Sequence, residues 1–387
     1  MFKIKNLLTV SLILFITSVQ AKDDNPFARY PSLNSNGTQI SFTYQGDIWT
    51  VPTDGGRAFR LTIHQAYDGI PKWSPDDKTI AFSSNRFGND DIFTIPSTGG
   101  KPNRLTFLST ADVLSNWSPN GNLLFETRRN ERQIEWENEL YSVSSNGGTP
   151  ARLLNSFGYM PAVSPNGRFV AFVKGASRIT REQYKGPANR NIWIFDTKNK
   201  TYNQITTFNA QDIYPDWGDN STLYFLSALN GKYNIYKLKI DTNGKAVGKP
   251  VPLTNFSEDG IRYFDVSFDG SSLVFERNTN LYTMDTKGGS PKLVPIKVTE
   301  DNRFDAVDYK TYSNKMNNYT VSPNGKYIAF VVRGEIFVMQ NKKGKKRSVN
   351  LTNNPYRDTS PGWLNDTTLI FVSDRTGERD LYIVTSA

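Results

Sequence analysis

The strongest constraint on the fold is a repeat of about 40 to 55 residues that runs through most of the 387-residue chain. Three markers recur in it in a fixed order. A turn of the type Ser-Pro-Asn-Gly comes first, and a triplet of an acidic residue or Asn, an aliphatic residue and an aromatic residue comes second. A Gly-rich turn and a short strand that ends in Leu-Thr close the unit, as in "GGRAFRLT" and "GGKPNRLT".

Each of the first two markers occurs eight times. The turn begins at Asn34, Trp73, Trp117, Val163, Trp217, Val266, Val321 and Trp363. The triplet begins at Asp47, Asp91, Glu139, Asn191, Asn234, Asn280, Glu335 and Asp380. An apolar strand such as "TIAFSS" lies between the two markers, so each unit supplies four short antiparallel strands with turns between them. Four strands at this period are typical of a β-propeller blade.

The order of the units predicts an all-β protein with two propeller domains. The first six units predict a six-bladed β-propeller of four-stranded antiparallel blades over residues 22–296. Residues 297–318 are polar, charged and longer than the other connections, which indicates a linker. Residues 319–387 predict the first two blades of a second propeller, the second of them truncated. In an alternative reading, one ring of seven or eight blades is closed by a strand from residues 26–30.

The truncation leads to a further expectation. The eighth unit supplies three strands and stops where its siblings turn into their outer strand, as "DLYIVTSA" beside "DIFTIPSTGGKPNRLT" illustrates. A strand without its outer neighbour leaves unpaired amides and carbonyls, which invite aggregation. We therefore expect this chain to be part of a longer protein.

Residues 1–21 have the pattern of a signal peptide. Lys3 and Lys5 precede an apolar run from residue 7 to residue 19, and a small-residue site ends at Ala21. The apolar run is short for a membrane span, so no stable membrane insertion is predicted. The pattern predicts cleavage after Ala21 and a periplasmic or secreted mature protein.

Composition excludes several kinds of site. The chain has no Cys and a single His, which argues against disulfides, thiol nucleophiles and zinc centres. It has no Gly-x-Ser-x-Gly segment and no Asp-x-Asp-x-Asp-Gly loop. The formal charge of +9 is scattered, which does not indicate nucleic-acid binding. No catalytic residue, cofactor or metal site is predicted, and His64 is expected to make local hydrogen bonds in a turn.

Two long loops are the candidate contact regions, because insertions in propellers often bind ligands. "RRNERQIEWENE" in the third unit carries Arg132 and Trp136, and "GASRITREQYKGPANRN" in the fourth carries Arg181 and Tyr184. These four residues are candidates for contacts with a peptide or partner. The alternative is that both segments are ordinary long loops.

Four aspartates form a second recurrent feature, each five residues before a marker Trp. They are Asp68, Asp112, Asp212 and Asp358. One interpretation is a ring of carboxylates around a channel mouth. Because the residue recurs in four units, a structural role is favoured, in which each Asp accepts hydrogen bonds from backbone donors.

Three segments resemble tricorn-type serine peptidases. They are "FTYQGDIWTVPTDGG" from Phe42, "LTIHQAYDGIPKWSPDD" from Leu61 and "VSPNGKYIAFVVRGEIF" from Val321. The resemblance spans about residues 30–387, although the general repeat is shared with TolB and other envelope propellers. In the family a six-bladed propeller precedes a seven-bladed one, a PDZ domain and the catalytic core. Only the start of the second propeller is present here, and none of the family's catalytic residues can be placed on this sequence.

The resemblance implies a non-catalytic N-terminal propeller portion of an exported serine peptidase. Such a portion would gate peptide access to, or product release from, a catalytic core that this chain lacks. Its partners would be peptides or unfolded polypeptide in the propeller channel, and the parent protein would form a homo-oligomer. The alternative is a stand-alone periplasmic protein-binding propeller that resembles TolB.

Overall fold

The computed structural model describes residues 25–131, 136–207, 210–299, 311–312, 314–344 and 347–385. These residues form strands and turns, and the predicted all-β class is confirmed. The predicted signal peptide with its cleavage site, and most of the predicted linker, lie outside the described residues and remain predictions. The chain divides into two compact units, unit 1 up to residue 300 and unit 2 from residue 301.

Unit 1 contains six antiparallel sheets of four strands among its described residues, here named I to VI in chain order. Sheets I, II and III are formed by β1 (Arg29–Leu33), β2 (Gln39–Tyr44), β3 (Asp47–Pro52), β4 (Gly56–Arg57), β5 (Phe59–Arg60), β6 (Asp68–Trp73), β7 (Thr79–Ser84), β8 (Asp91–Pro96), β9 (Asn103–Arg104), β10 (Asp112–Trp117), β11 (Asn122–Thr127), β12 (Glu139–Ser144) and β13 (Ala151–Phe157). Each takes four consecutive strands, except that sheet I passes from β3 to β5.

Sheets IV, V and VI repeat this order with successive hairpins. They are formed by β14 (Tyr159–Val163), β15 (Phe169–Lys174), β16 (Asn191–Asp196), β17 (Thr201–Gln204), β18 (Asp212–Asp219), β19 (Thr222–Ser227), β20 (Asn234–Ile240), β21 (Ala246–Pro252), β22 (Ile261–Val266), β23 (Ser272–Arg277), β24 (Asn280–Asp285) and β25 (Lys292–Leu293). β26 (Ile296–Lys297) follows and pairs in parallel with β4 of sheet I.

The first marker is the turn between the first two strands of a sheet. In sheet IV, Ser164 Oγ accepts the backbone N–H of Phe169 at 3.0 Å and donates to Asn166 Oδ1 at 2.8 Å. Gly167 has a φ of 74°, in the left-handed region that glycine adopts without steric cost. Serine, asparagine and glycine are therefore each needed at their position in this turn.

The aromatic residue of the second marker packs beside an aromatic residue of the neighbouring strand. Phe82 and Phe93 are directly paired in the register of sheet II, with ring centroids 5.7 Å apart. The same pairing recurs in other sheets, for example between Phe275 and Tyr282 at 5.4 Å. Such pairs contribute about 0.5–1.5 kcal/mol each beyond the burial of their surface.

Neighbouring sheets bury their faces against each other. Ile48 of sheet I lies in one buried cluster with Trp73, Ile80 and Phe82 of sheet II. A single four-stranded sheet has two apolar faces, so only a sheet on each side can remove both faces from water. Packing between sheets thus forms the core of this unit.

The six sheets of unit 1 follow one another in a cycle. β1 packs against β6 of sheet II and also against β22 and β23 of sheet VI. The parallel pair β4–β26 joins the two ends of the unit. Asn25 adds to this junction, because its side-chain amide donates to the Val294 carbonyl at 3.2 Å and its Oδ1 accepts the Ile296 N–H at 3.0 Å.

Unit 2 contains two sheets among its described residues, named VII and VIII. They are formed by β27 (Met316–Val321), β28 (Tyr327–Val332), β29 (Glu335–Gln340), β30 (Val349–Asn350), β31 (Asp358–Trp363), β32 (Thr368–Ser373) and β33 (Asp380–Thr385). Sheet VII has four strands and sheet VIII has three. Leu381 in β33 is 70% exposed, whereas Ile336, at the same position of sheet VII, is fully buried.

Candidate functional site along the axis of unit 1

The first strands of the six sheets bring one residue each to a common level, one position before the Trp or Val that begins the first marker, or before Leu33 in sheet I. We call this set the axial layer. Its members are Ser32, Lys72, Asn116, Ala162, Asp216 and Asp265. Because the first strands contact one another in cyclic order, the six positions surround the axis of the unit.

An ion pair joins two members of the axial layer that lie on different sheets. Lys72 Nζ of sheet II contacts Asp265 Oδ1 of sheet VI, and both side chains are almost fully buried. Nζ also lies 5.3 Å from the centre of the Tyr263 ring. Burial alone would lower the pKa of Lys72, but the Asp265 carboxylate outweighs it and raises the pKa above its usual range. Lys72 is therefore charged, and the pair is a buried salt bridge.

Asp216 is the second carboxylate of the axial layer. Its Oδ1 accepts the Trp217 N–H at 2.9 Å and lies 3.4 Å from Asn116 Nδ2, and its Oδ2 accepts the Val266 N–H at 3.3 Å. Burial, together with the nearby charge of Asp265, raises the pKa of Asp216 to about 7. Its protonated form is therefore favoured over a range in which an exposed aspartate is already charged.

The buried carboxylates of unit 1 also satisfy backbone groups at the open edge of the neighbouring sheet. Asp265 Oδ2 accepts the Leu33 N–H at 2.8 Å, and Glu126 Oε1 accepts the Met160 N–H at 2.7 Å. The innermost strand of each sheet has a strand partner on one side only, and unpaired edge groups buried in the molecule are costly. These carboxylates consequently have a structural role whatever else they do.

Four first strands of unit 1 carry a residue in the left-handed region just before a proline, and Ser360 of β31 in unit 2 repeats the feature with a φ of 52°. Tyr30, Ile70, Met160 and Tyr214 have φ values of 51°, 56°, 55° and 52°. The register of each strand shifts at this point, as in a β-bulge. Bulges redirect side chains and are frequent beside functional sites.

These four side chains, together with Tyr263, line a cavity of about 210 Å³ on one side of the axial layer. We call it the tyrosine cavity. Tyr263 packs edge-on against both Tyr30, at 5.5 Å between ring centroids, and Tyr214, at 4.9 Å. Burial raises the pKa of Tyr263 to about 12 and raises that of Tyr214 as well, so both hydroxyls are neutral at physiological pH. The walls of the cavity are mainly aromatic and aliphatic, with Lys72, Ser115, Asn116, Glu126 and Asp216 as the charged and polar members of the lining.

A second cavity, of about 420 Å³, shares Tyr30, Tyr214 and Tyr263 with the tyrosine cavity. We call it the outer cavity. It extends to Ile179, Thr180 and Glu182, which belong to the long loop of sheet IV. The Tyr233 hydroxyl donates to the Ile179 carbonyl at 2.8 Å and holds this loop against sheet V.

A third cavity, of about 190 Å³, lies on the opposite side of the axial layer. It is lined by the marker tryptophans and turn prolines Trp73, Trp117, Trp217, Pro75, Pro119 and Pro165. It shares Asn116 and Asp216 with the tyrosine cavity, so the axial layer separates the two spaces.

Comparison with known proteins relates this architecture to one family. The model of the tricorn protease N-terminal beta propeller domain matches residues 25–290, which is more than half of the chain. The chain belongs to this family. The match covers sheets I to V and most of sheet VI, and with them every residue of the axial layer.

Alignments with individual tricorn proteins extend over more of the chain than the family model does. A tricorn protease homolog from Saccharolobus solfataricus is 26% identical over 317 residues, which are 80% of this chain and 28% of that protein. The crystal structure of the tricorn protease superposes with a TM-score of 0.63 and 17% identity, covering 93% of this chain and 34% of that one. A putative TolB from Agrobacterium tumefaciens is a more distant neighbour, with a TM-score of 0.44, 18% identity and coverage of 69% of this chain and 79% of that one. This chain thus spans less than a third of the tricorn homolog that it matches.

The three predicted contact residues that the structure describes do not line these cavities. Arg132 lies outside the described residues, and Trp136 is 83% exposed. The Arg181 guanidinium lies 4.6 Å from the centre of the Tyr184 ring, within the loop of sheet IV. Neighbours of Arg181 in this loop reach the outer cavity, but Arg181 and Tyr184 do not border it. A binding role for the four predicted residues stays a prediction.

The prediction that the recurrent aspartates accept backbone donors was wrong: three of the four bind an arginine side chain, and Asp212 has no backbone donor. Nε of Arg86 donates to Asp68 and Nε of Arg129 to Asp112, each at 3.1 Å, and Nη2 of Arg375 donates to Asp358 at 3.1 Å. The carboxylates therefore bind arginine side chains rather than backbone donors, because the hairpin after the second strand places a guanidinium beside them.

Nδ1 of the His64 imidazole accepts the Ala66 backbone N–H at 2.9 Å. The backbone N–H of His64 donates to Asp47 Oδ1 at 3.2 Å. These are the local turn hydrogen bonds that its place between two units predicts. Both bonds stabilise the connection between sheets I and II. In neither of them does the imidazole contact a second side chain.

Sequence reasoning missed Lys72, Asp216 and Asp265. A usable signal was present, since charged residues stand directly before a marker Trp or Val in "PKWSP", "PDWGD" and "FDVSF". The equivalent positions in sheets I and IV hold the small residues Ser32 and Ala162. A comparison of the units column by column would have revealed this contrast, but not which residues meet.

Proposed function

We propose that this chain is the non-catalytic N-terminal propeller portion of an exported tricorn-type serine peptidase. In this role it controls which polypeptides reach a catalytic core that the chain itself lacks. The observation that carries the proposal is the family match over residues 25–290 in a chain that spans 28% of its Saccharolobus relative. The local hydrogen bonds of His64, the single histidine, support a role without hydrolysis.

The proposal includes a six-bladed ring followed by the first two blades of a second propeller. The cyclic contacts of sheets I to VI and the β4–β26 junction support the ring. The alternative of one larger ring needs residues 26–30 to complete sheet VIII. Residues 29–33 instead form β1, which pairs with β2 in sheet I, so this observation favours two rings.

Export is proposed on the pattern of residues 1–21 alone. Among the described residues, no helix has the length and apolar character needed to cross a membrane. We propose a periplasmic or secreted location, with polypeptides as ligands and a homo-oligomer built through the parent protein.

The intact mass of the native protein tests the proposal. The protein is captured from its own cells with an antibody against residues 25–290, and its mass and assembly state are measured. A mass far above that of 387 residues, with peptidase activity in the captured material, is the expected result. A mass near that of the chain without its signal peptide would contradict the proposal and favour the stand-alone binding propeller.

Purified residues 22–387 provide a second test with a defined peptide library. We expect no turnover, because among the described residues the single histidine makes only local turn hydrogen bonds and meets no nucleophile. Hydrolysis that disappears in His64→Ala would contradict a non-catalytic role.

A further inference from the structure

The axial layer closes the axis of unit 1. Ser32 and Ala162, the two small members, stand in sheets I and IV, three places apart in the cycle. The Lys72–Asp265 pair joins the sheets on either side of sheet I, and Asn116 approaches Asp216 between the sheets on either side of sheet IV. The small residues leave room for these two bridges.

Both contacts would be costly for a polypeptide to break as it moved along the axis. The side chains of Lys72 and Asp265 are 5% and 6% exposed, so separating them would leave two uncompensated charges in a buried place. Asp216 and Asp265 also accept backbone N–H groups of the neighbouring sheets, at 3.3 Å from Val266 and 2.8 Å from Leu33. A polypeptide that entered the layer would have to break these bonds as well.

The space on one side of the layer has the chemistry of a ligand site. The bulges of the first strands point four side chains of unit 1, Tyr30, Ile70, Met160 and Tyr214, into the tyrosine cavity. Apolar and aromatic walls with a few polar groups are the usual lining of binding pockets.

The dimensions indicate what the site holds. The tyrosine cavity, at about 210 Å³, is smaller than typical drug-sized pockets and suits one large side chain. The outer cavity, at about 420 Å³, adjoins it through three shared tyrosines and has room for adjoining main chain. Tyrosine rings favour edge-to-face packing with a further aromatic ring.

We propose that the tyrosine cavity is a blind receptor for an aromatic side chain of an unfolded polypeptide, and that the axial layer prevents the polypeptide from threading through unit 1. The proposal rests on the proposed function only in that the ligand is a polypeptide. Under this proposal a polypeptide binds at one end of the axis of unit 1 and does not pass through it.

Binding is tested with the full chain and two blocked pentapeptides, acetyl-Gly-Gly-Phe-Gly-Gly-amide and its all-glycine counterpart, by isothermal titration calorimetry. Burial of the phenyl ring predicts an affinity at least roughly tenfold higher for the phenylalanine peptide. Met160→Trp fills the cavity and is expected to remove this difference. Met316→Trp, which changes an exposed methionine of β27, is the matched control and is expected to bind like the unaltered protein.

Thermal unfolding of each variant shows whether it is folded. If Met160→Trp fails to fold, Tyr30→Leu serves in its place, since it removes one aromatic wall and is expected to weaken binding. Equal affinity for the two peptides in the unaltered chain, or unchanged affinity in the folded cavity variant, would overturn the proposal.

Photo-crosslinking tests whether the axis is closed. The phenylalanine is replaced by a diazirine-bearing analogue, and the cross-linked residues are mapped by mass spectrometry. Cross-links at Ile70, Met160 or Tyr214 alone are the expected result. Cross-links at Pro119 or Phe268, in the cavity beyond the axial layer, would show that peptides thread, and an absence of cross-links in the tyrosine cavity would overturn the site. Neither outcome alters the native mass, so failure here is distinguishable from failure of the proposed function.

Discussion

At the scale of single residues, Asp212 differs from its three counterparts. Those aspartates bind an arginine located two residues after the second strand, but in sheet V this position is Leu229. Asp212 is fully buried, and no other described residue donates a hydrogen bond to its carboxylate in good geometry. The Ser227 and Thr206 hydroxyls lie close by and only partly offset the burial, which raises its pKa to about 7.

Replacing the leucine should restore the missing partner. Leu229→Arg is expected to raise the free energy of unfolding at about pH 8 by about 1.5–3 kcal/mol, the range for hydrogen bonds to charged groups. The same change at Leu364, an exposed leucine of unit 2, is the control and should have little effect. Urea denaturation measures both, and equal values for the two variants would show that the guanidinium does not reach Asp212.

The raised pKa also predicts a pH dependence of stability. The pKa of Asp212 is raised from 3.8 to about 7, so the folded state binds more protons than the unfolded state between these values. Stability from this group is therefore fully present at low pH and is lost as pH rises from about 4 to about 7, by at most about 4 kcal/mol.

Asp212→Asn removes this titration. The free energy of unfolding of the variant, relative to that of the unaltered protein, should therefore be higher at about pH 8 than at about pH 5. Denaturation curves at the two pH values provide the measurement. Asp112→Asn is the contrasting variant, because it deprives Arg129 of its partner and should destabilise at both values. A constant difference between Asp212→Asn and the unaltered protein would contradict the assigned shift.

At the scale of elements, the threonine that closes five of the units has a specific role. Thr62 Oγ1 and Thr106 Oγ1 each accept the N–H of the aliphatic residue of the second marker, at 2.9 Å. The same bond recurs for Thr206, Thr254 and Thr352. The threonine thus ties the outer end of each of these sheets to its third strand.

Removing this hydroxyl should weaken the sheet. Thr106→Val keeps the shape of the side chain and leaves the Ile92 N–H without an acceptor in a buried place, at a cost of about 1–3 kcal/mol. Thr207→Val, at an exposed position, is the matched control. Equal unfolding free energies for the two variants would mean that another acceptor replaces the threonine.

The strands themselves could be predicted from the sequence. "TIAFSS" forms β7 as predicted, because turn residues and apolar runs are local signals. The bulges before Pro31 and Pro161 could not be predicted, since a residue before proline normally avoids helical conformations. Their geometry depends on the neighbouring sheet, which supplies acceptors to the redirected N–H groups.

At the scale of the whole molecule, the axial layer depends on contacts between residues far apart in the sequence. Lys72 and Asp265 are separated by 193 residues, and no local pattern relates them. The repeat predicts that both occur at the same level of their strands, but only the closed cycle of sheets brings them together. The candidate site was therefore beyond the reach of marker analysis, although the fold class was not.

The ion pair should stabilise unit 1 as a whole. Lys72→Met leaves Asp265 charged and buried, which is expected to cost about 3–5 kcal/mol. Lys72→Met combined with Asp265→Asn removes both charges, keeps an acceptor for the Leu33 N–H and should recover most of the loss. Additive effects in this double-mutant cycle would contradict a direct interaction.

Limited proteolysis tests the division into units. The polar segment 297–318 is expected to be cut first by trypsin, which leaves a fragment that retains sheets I to VI and unfolds cooperatively. Mass spectrometry of the early products identifies the site. Earlier cleavage within the connections of unit 1 would contradict a boundary at this segment.

The junction at Asn25 has a consequence for connectivity. Because Asn25 bonds to Val294 and Ile296, the first and last described residues of the cycle are neighbours in space. The chain of unit 1 could be joined there by a short linker and opened instead between two other sheets, for example near residue 110. Circular permutants of this kind would start with any of the six sheets. If they are stable, the fold depends on the order of the sheets around the axis and not on the place where the polypeptide begins.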